Sequence, residues 1–488
     1  MKYKTVLFFL TCCVLLFAGC TDYYHDLSLH ITTGASSDVS ISAFSFHPDE
    51  NPNLDKEYSG NVFYDDGEIL IIMPPDFLET IELNLKPRFT VKGLVYVDGS
   101  IQTSGENEQL FEDEIVYEVV SANGANRKNY TVKILGKYSR IYVRHDAEEG
   151  GDGSSWNSAF ASIHDAASLA FLFHESIQKE IWIAAGTYKP GDTDADFFRL
   201  IANTRYIGGF AGNETAIGQR NLAVNKTIVS GSVGTGIQSV NLFTTADAAA
   251  VNSIMEFNGI SFESSRTAIS AFLSSSARLT VANCTFKNFQ KTAIFSFNGR
   301  RTTVTDSVFE NIEASDNFGA VHIGTSETEI LRVTFKDITG NALSVIGANA
   351  NIKDAEFLNI NGKQALFVDQ IAQSGTINIS DVLIDTVTYG RGMYISSHSL
   401  VLTKTQIKSC DTEDFGGGIH LVNYGYAEIS FTEISDTFAL TGNGIYYDGS
   451  ASSALLIRNV KFNNIQITSH GIDGMHLFGN NIDFVWTP

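Results

Sequence analysis

The chain has 488 residues, 43% hydrophobic and 18% charged, so it carries enough apolar material for a buried core, and global disorder is excluded. Lys and Arg number 33 against 55 Asp and Glu, a net charge of −22. A polyanion of this kind lacks the basic surface that neutralises phosphate, so no nucleic-acid partner is expected.

Residues 1–19 come first in chain order. Lys2 and Lys4 precede the apolar run Val6 to Ala18, and Ala18-Gly19-Cys20 follows. A basic start, a short apolar stretch and small residues at a cut make the pattern of a secretory signal peptide. The run is too short for a transmembrane helix, which needs about 20 apolar residues. Phe17-Ala18-Gly19-Cys20 resembles the bacterial lipobox, with Phe17 where leucine usually stands. That resemblance implies a lipoprotein: cleavage before Cys20, lipidation of Cys20, a membrane partner reached through the lipid, and a tether over residues 20–26. Thr21 stands where an aspartate would signal inner-membrane retention, so the implied location is the cell envelope at the outer membrane, open to the surface. Cys12 and Cys13 leave with the signal. Cys284 and Cys410 then remain beside Cys20, so neither a disulfide framework nor a cysteine metal site is expected.

Residues 27–136 alternate in short runs: Val39 to Phe46, Glu68 to Met73, Ile81 to Phe89, Ile115 to Val120 and Tyr130 to Ile134. Asp66-Gly67, Pro74-Pro75, Asp98-Gly99 and Asn123-Gly124 separate them. Short strands divided by turn residues predict a β-sandwich. Tyr117 to Ile134 resembles the last hairpin of the immunoglobulin-like domains found near the tether of bacterial surface lipoproteins. A spacer that lifts the next domain from the membrane is the expected role.

Residues 140–488 repeat. Large apolar anchors stand at Phe262, Phe286, Phe309, Phe335, Phe357, Ile384, Ile407, Ile434 and Phe462, in steps of 22 to 28 residues. Two residues after each comes a turn former: Ser264, Asn288, Asn311, Asp337, Asn359, Thr386, Ser409, Asp436 or Asn464. Five residues before them stand apolar residues such as Val281, Val304, Ile330 and Ile352. A small residue and an apolar-x-apolar phrase then follow, as in Ala320-Val-His-Ile and Gly418-Ile-His-Leu. Period-2 alternation inside such a repeat predicts stacked coils of strand and turn, a parallel β-helix. A leucine-rich repeat would need a recurrent leucine-asparagine frame, and a propeller blade about 40 residues. Ser158 to Phe173, with Ala159, Phe160, Ile163, Ala166, Ala167, Ala170 and Phe171 at helical spacing, predicts an N-terminal capping helix over an otherwise open strand edge. The stretch 140–235, through Gly151-Asp-Gly-Ser-Ser-Trp156, Ile181-Trp-Ile-Ala-Ala-Gly-Thr-Tyr188 and Ile207-Gly-Gly-Phe-Ala-Gly-Asn-Glu-Thr215, resembles the pectate-lyase-like superfamily of bacterial β-helices. The resemblance implies a right-handed coil, the hand that parallel crossovers favour. The expected fold is therefore all-β: an immunoglobulin-like sandwich, then a right-handed parallel β-helix with an N-terminal capping helix.

In the apolar-x-apolar strand, x points outward. The resulting column reads Ser270, Phe295, His322, Ser344, Phe367, Tyr394, His420, Tyr446 and His476, and a second column two residues on contains Asp369 and Asp448. His322, Phe367, Tyr394, His420, Tyr446, His476 and Asp448 are the ligand-binding candidates, because rings can take sugar C–H faces while His and Asp bond hydroxyls. The alternative is that the rings only stabilise neighbouring rungs. Folds of this kind also host polysaccharide-degrading enzymes. Asp369 and Asp448 lie three rungs apart, about 14 Å, too far for a glycosidase pair. A lyase would use His420 as base beside Tyr394 or Tyr446, with Arg391 neutralising a carboxylate. The acidic charge opposes polyuronates unless Ca²⁺ bridges them, and no clear calcium motif is present, so no metal site or cofactor is expected and a calcium requirement stays open. The expectation is a glycan-binding or adhesin-like envelope lipoprotein facing a polysaccharide or host-cell glycan. A polysaccharide lyase ranks next, ahead of a hydrolase, and a structural surface protein is the third reading.

Overall fold

Short alternating runs separated by turn residues build two compact units, one ending at Tyr138 and the other beginning at Ser139. The computed structural model describes residues 36–73, 81–112, 114–135, 140–172, 178–234, 237–245, 253–314, 318–371, 375–450, 452–465, 475–478 and 482–485. The signal segment, Cys20 and the tether lie outside the described residues.

The first unit contains β1 (Ile41–Phe46), β2 (Tyr58–Phe63), β3 (Glu68–Ile72), β4 (Asn84–Leu85), β5 (Pro87–Val91), β6 (Gly93–Val97), β7 (Ser100–Gln102), β8 (Gln109–Leu110), β9 (Ile115–Ser121) and β10 (Arg127–Leu135). Eight of them form one curved half-barrel sheet in the order β5-β1-β2-β3-β10-β9-β6-β7, and β4 pairs with β8. The expected run Ile81 to Phe89 is split at Lys86, whose backbone N–H donates to Asn51 Oδ1 at 2.7 Å and whose carbonyl accepts from Asn51 Nδ2 at 3.0 Å. The hairpin of β9 and β10 forms with Tyr130 opposite Tyr117 and Gly124 in the left-handed region at φ 70°. Phe44, Phe46, Tyr117 and Tyr130 share the core, with Phe44 and Tyr117 edge to face at 5.3 Å.

The second unit is a right-handed parallel β-helix. β11 (Arg140–Val143) pairs in parallel with Lys179–Ala184, and the parallel ladders continue to Ile482–Val485. A coil has three faces, as in 301–305, 307–313 and Val321–Gly324, each in register with its equivalents before and after. The capping helix α1 (Ile163–Leu172) starts later than the sequence pattern suggested, because the Ser162 hydroxyl accepts the His164 N–H at 2.9 Å and fixes the first turn there. Its buried Ile163, Ala166, Ala167 and Ala170 pack against the first coil. Below it Trp182 stacks on Phe210 at 4.3 Å, and the Glu214 carboxylate accepts the N–H groups of Ala211, Gly212 and Asn213.

The anchors line the interior. Phe262, Phe286, Phe309, Phe335 and Phe357 stack face to face with centroids 4.6 to 5.0 Å apart, and each is fully buried. Two single-residue corners bracket each anchor. All nine turn formers two residues after the anchors have left-handed backbone, φ 50° to 68°. Asn288, Asn311, Asp337 and Asn359 lend their side chains to ladders, with Asn311 Nδ2 donating to Asn288 Oδ1 at 2.7 Å and Asn359 Nδ2 to Asp337 Oδ1 at 2.5 Å.

The second corner was not foreseen. Three residues before the anchors, Gly259, Asn283, Asp306, Arg332, Asp354, Asp381, Lys404, Phe431 and Asn459 are also left-handed. Asn or Asp at five of these nine positions was the signal available. Arg332 and Asp306 pair across it at 2.5 Å. Phe431 holds φ 49° and is 61% exposed, a strained backbone with little packing in return. For an L-residue this conformation costs about 1–2 kcal/mol, and Asn and Gly avoid most of it. Substituting Phe431→Asn should therefore raise stability by about 0.5–1 kcal/mol, whereas Asn311→Val, which adds a β-branch and removes a ladder bond, should lower it by about 2–3 kcal/mol. Thermal or denaturant unfolding of the two variants measures both signs.

Candidate functional site

The third face carries the outward column. Register pairs run Ser270↔Phe295, Phe295↔His322, His322↔Ser344, Ser344↔Phe367, Phe367↔Tyr394, Tyr394↔His420, His420↔Tyr446 and Tyr446↔His476. The column exists because small residues just before it let coils approach closely: a Cβ on Gly418 would lie 2.6 Å from the Gly444 carbonyl.

The structure divides the candidates. Phe367, Tyr394, His420 and Tyr446 form a continuous half-buried ledge. Phe367 and Tyr394 stack at 5.3 Å, and the His420 ring meets Tyr394 and Tyr446 edge to face, each at 4.9 Å. Asp448 is exposed in the neighbouring column, in register with Val422 and Phe478. His322 does not belong to the ledge. It is 3% exposed, stacked on Phe295 at 5.2 Å and covered edge-on by Phe318, with Nδ1 on Ser344 Oγ at 3.2 Å. An outward register position was not enough to expose it, because the Phe318 turn folds over that rung. His476 continues the backbone register of the ledge; its side chain lies outside the described residues. Cys20 lies outside them as well.

The ring orientation also corrects the expected mode of contact. Tyr394 turns one face onto Phe367, so that face is closed to a sugar, and the His420 ring stands steeply inclined to both tyrosines.

Sequence reasoning missed Asp414 and Phe415. They sit in the long coil between Ile407 and Ile434, where Phe415 bridges to Thr441 and the Leu440 N–H donates to the Asp414 carbonyl at 2.9 Å. This pinned corner lays Phe415 on Tyr446 at 4.8 Å and brings the Asp414 carboxylate onto the Arg391 guanidinium. The only available clue was the 27-residue step. In the strand Ile419–Ser430 that carries His420, Tyr424 is exposed beside His398.

Arg391 starts its strand at the corner and is 5% exposed. Its Nη1 donates to His420 Nδ1 at 2.5 Å and Nη2 to Asp414, while its Nε–H has no acceptor among the described residues. A guanidinium only donates, so Nδ1 must be the lone-pair nitrogen and His420 carries its proton on Nε2. Burial first, then the Arg391 charge, pulls the His420 value down to about 4 against the pull of Asp414 and Asp448. His420 is thus a neutral donor with no free lone pair for taking a proton. The lyase arrangement expected from sequence loses its base, and Arg391 is already neutralised by Asp414. Among the described residues no group of three or more His, Cys, Asp or Glu is placed to hold a metal ion.

No protein-family model matches the chain, and no curated protein sequence matches it. Solved structures similar in fold include the A-module of the mannuronan C-5 epimerase AlgE6 of Azotobacter vinelandii, 12% identical with a TM-score of 0.30 over 67% of this chain and 94% of that one. The catalytic domain of Agl-KA is 11% identical with a TM-score of 0.37 over 93% and 97%, and PfbA, a surface adhesin of Streptococcus pneumoniae, is 11% identical with a TM-score of 0.30 over 71% and 94%. At these scores none of their activities is carried to this chain.

The tautomer predicts a pH response. Folding lowers the His420 value from an ordinary 6.5 to about 4, so between those limits the unfolded chain binds more protons. The contribution is complete above about pH 6.5 and is lost as pH falls toward 4. Nitrogen shifts of labelled histidine should report Nε2–H at pH 6 for one residue that His420→Gln removes, and that variant should flatten the stability slope between pH 6.5 and 4. A His420 that titrates near 6.5 would contradict the geometry.

Proposed function

We propose that this protein is a cell-envelope lipoprotein, anchored through Cys20, whose β-helix captures a glycan on the ledge of Phe367, Tyr394, His420 and Tyr446. The half-barrel unit serves as the spacer expected of an immunoglobulin-like domain. The observation that carries the reading is the His420 donor, held by Arg391 and Asp414 between two tyrosines, with its Nε2–H left without an acceptor among the described residues. Holding a buried cation, a carboxylate and a neutral imidazole in one cluster costs desolvation that a plain aromatic ladder would avoid. A ligand oxygen at Nε2 gives that cost a purpose. A flat face about 14 Å long from Phe367 to Tyr446 suits an extended polymer.

Retention on polysaccharide affinity gels tests this. Tyr394→Ala and Tyr446→Ala should each weaken retention roughly tenfold, in line with loss of about 1.4 kcal/mol, with the fold checked by circular dichroism. Ultraviolet absorbance of unsaturated products should stay flat. Product formation abolished by His420→Ala would overturn the binding reading in favour of a lyase. Variants that change thermal stability alone would leave only a structural role.

A further inference from the structure

The ledge carries a charge pattern that specifies which glycans it takes. This inference rests on the glycan reading above and narrows it. The charged groups around the ledge include Arg391, Asp414 and Asp448 at His420, with Asp369 at Tyr394. Arg391 is the single cation of this set. It is 5% exposed, one of its outer nitrogens is committed to Asp414 and the other to His420. Burial and the Asp414 ion pair leave little of the guanidinium open to a carboxylate or a sulfate, and an accessible bidentate fork is what makes arginine a strong anion ligand. Lys363 stands exposed at the corner one coil back, where its backbone carbonyl accepts the Arg391 N–H and where salt screens its charge.

The acceptors tell the same story. Asp369 and Asp448 lie in the column beside the ledge, and neither has an ion pair or hydrogen bond among the described residues. Ionised carboxylates only accept, so they bind O–H groups and repel anions. The Tyr394 hydroxyl has no hydrogen bond among the described residues and can donate or accept. Among the described residues the face therefore offers one fixed imidazole donor, the Tyr394 phenol and two carboxylate acceptors, while Arg391 is buried and paired with Asp414.

We propose that the ledge selects neutral, hydroxyl-rich glycans over polyuronates and sulfated glycans. Sugar O–H groups bond to Asp369 and Asp448, and a ring or hydroxyl oxygen accepts from His420 Nε2–H. Asp414 acts as a positioning residue: it neutralises Arg391 and thereby keeps the site closed to anions.

The experiment uses affinity electrophoresis of the purified full-length protein in gels containing glucan, mannan or xylan, and in matched gels containing polygalacturonate, alginate or a sulfated galactan, at low and moderate salt. The expected result is retention by at least one neutral polymer, roughly tenfold stronger than by any anionic one and unchanged by salt, since no ion pair is formed. Tyr394→Phe, which removes only the hydroxyl and should fold normally, should weaken that retention. Asp414→Asn should release the Arg391 charge and raise retention by the anionic polymers. Anionic retention by the unmodified protein that falls with salt and is lost on Tyr394→Phe would overturn the selectivity while leaving glycan binding at the ledge intact. No retention by any polymer would overturn the glycan reading itself, and the selectivity with it.

Discussion

A chain that turns a corner on one left-handed residue has no slack. Each corner fixes where the next strand begins, and the strand can then pair only with its equivalent one coil away. Two such residues per coil, three before and two after each anchor, hold the phenylalanine stack inside and lock the register of the faces around it. A slip of one residue would turn every inward side chain outward, so the buried stack and the exposed column stabilise the same register from opposite sides.

The ledge follows from that register and from one departure from regularity. Short coils such as Phe335 to Phe357 have little chain to spare beyond their faces. The coil from Ile407 to Ile434 runs 27 residues, and its added residues form the corner that carries Asp414 and Phe415 over the column. An equally placed histidine, His322, shows the contrast: there the turn brings Phe318 across the ring and only covers it. The chemistry of the site thus lies less in the strand residue than in what the neighbouring corner lays against it. At His420 the corner brings a carboxylate to an arginine that already faces the imidazole, and that pair sets the tautomer.

The repeat, the interior anchors and the corners after them were legible because strand alternation and backbone handedness are local properties written in residue type. The corners before the anchors were not read, since Arg332, Lys404 and Phe431 are poor left-handed residues and broke the Asn and Asp pattern. Of the ledge, Phe367, Tyr394, His420 and Tyr446 could be aligned by register alone. The burial of His322 and the roles of Asp414 and Phe415 could not, because corner loops of different length have no periodicity from which to place a side chain. The direction of the rings was also hidden: outward position does not say whether a ring shows its face or its edge.

Hydrogen–deuterium exchange of the full-length protein with and without a retained neutral polysaccharide tests the central claim most directly. Glycan bound at the ledge should add protection in 391–396, 413–423 and 445–449, with 41–135 unchanged. Protection confined to other faces of the β-helix or to the half-barrel unit, with these three segments unaltered, would contradict it.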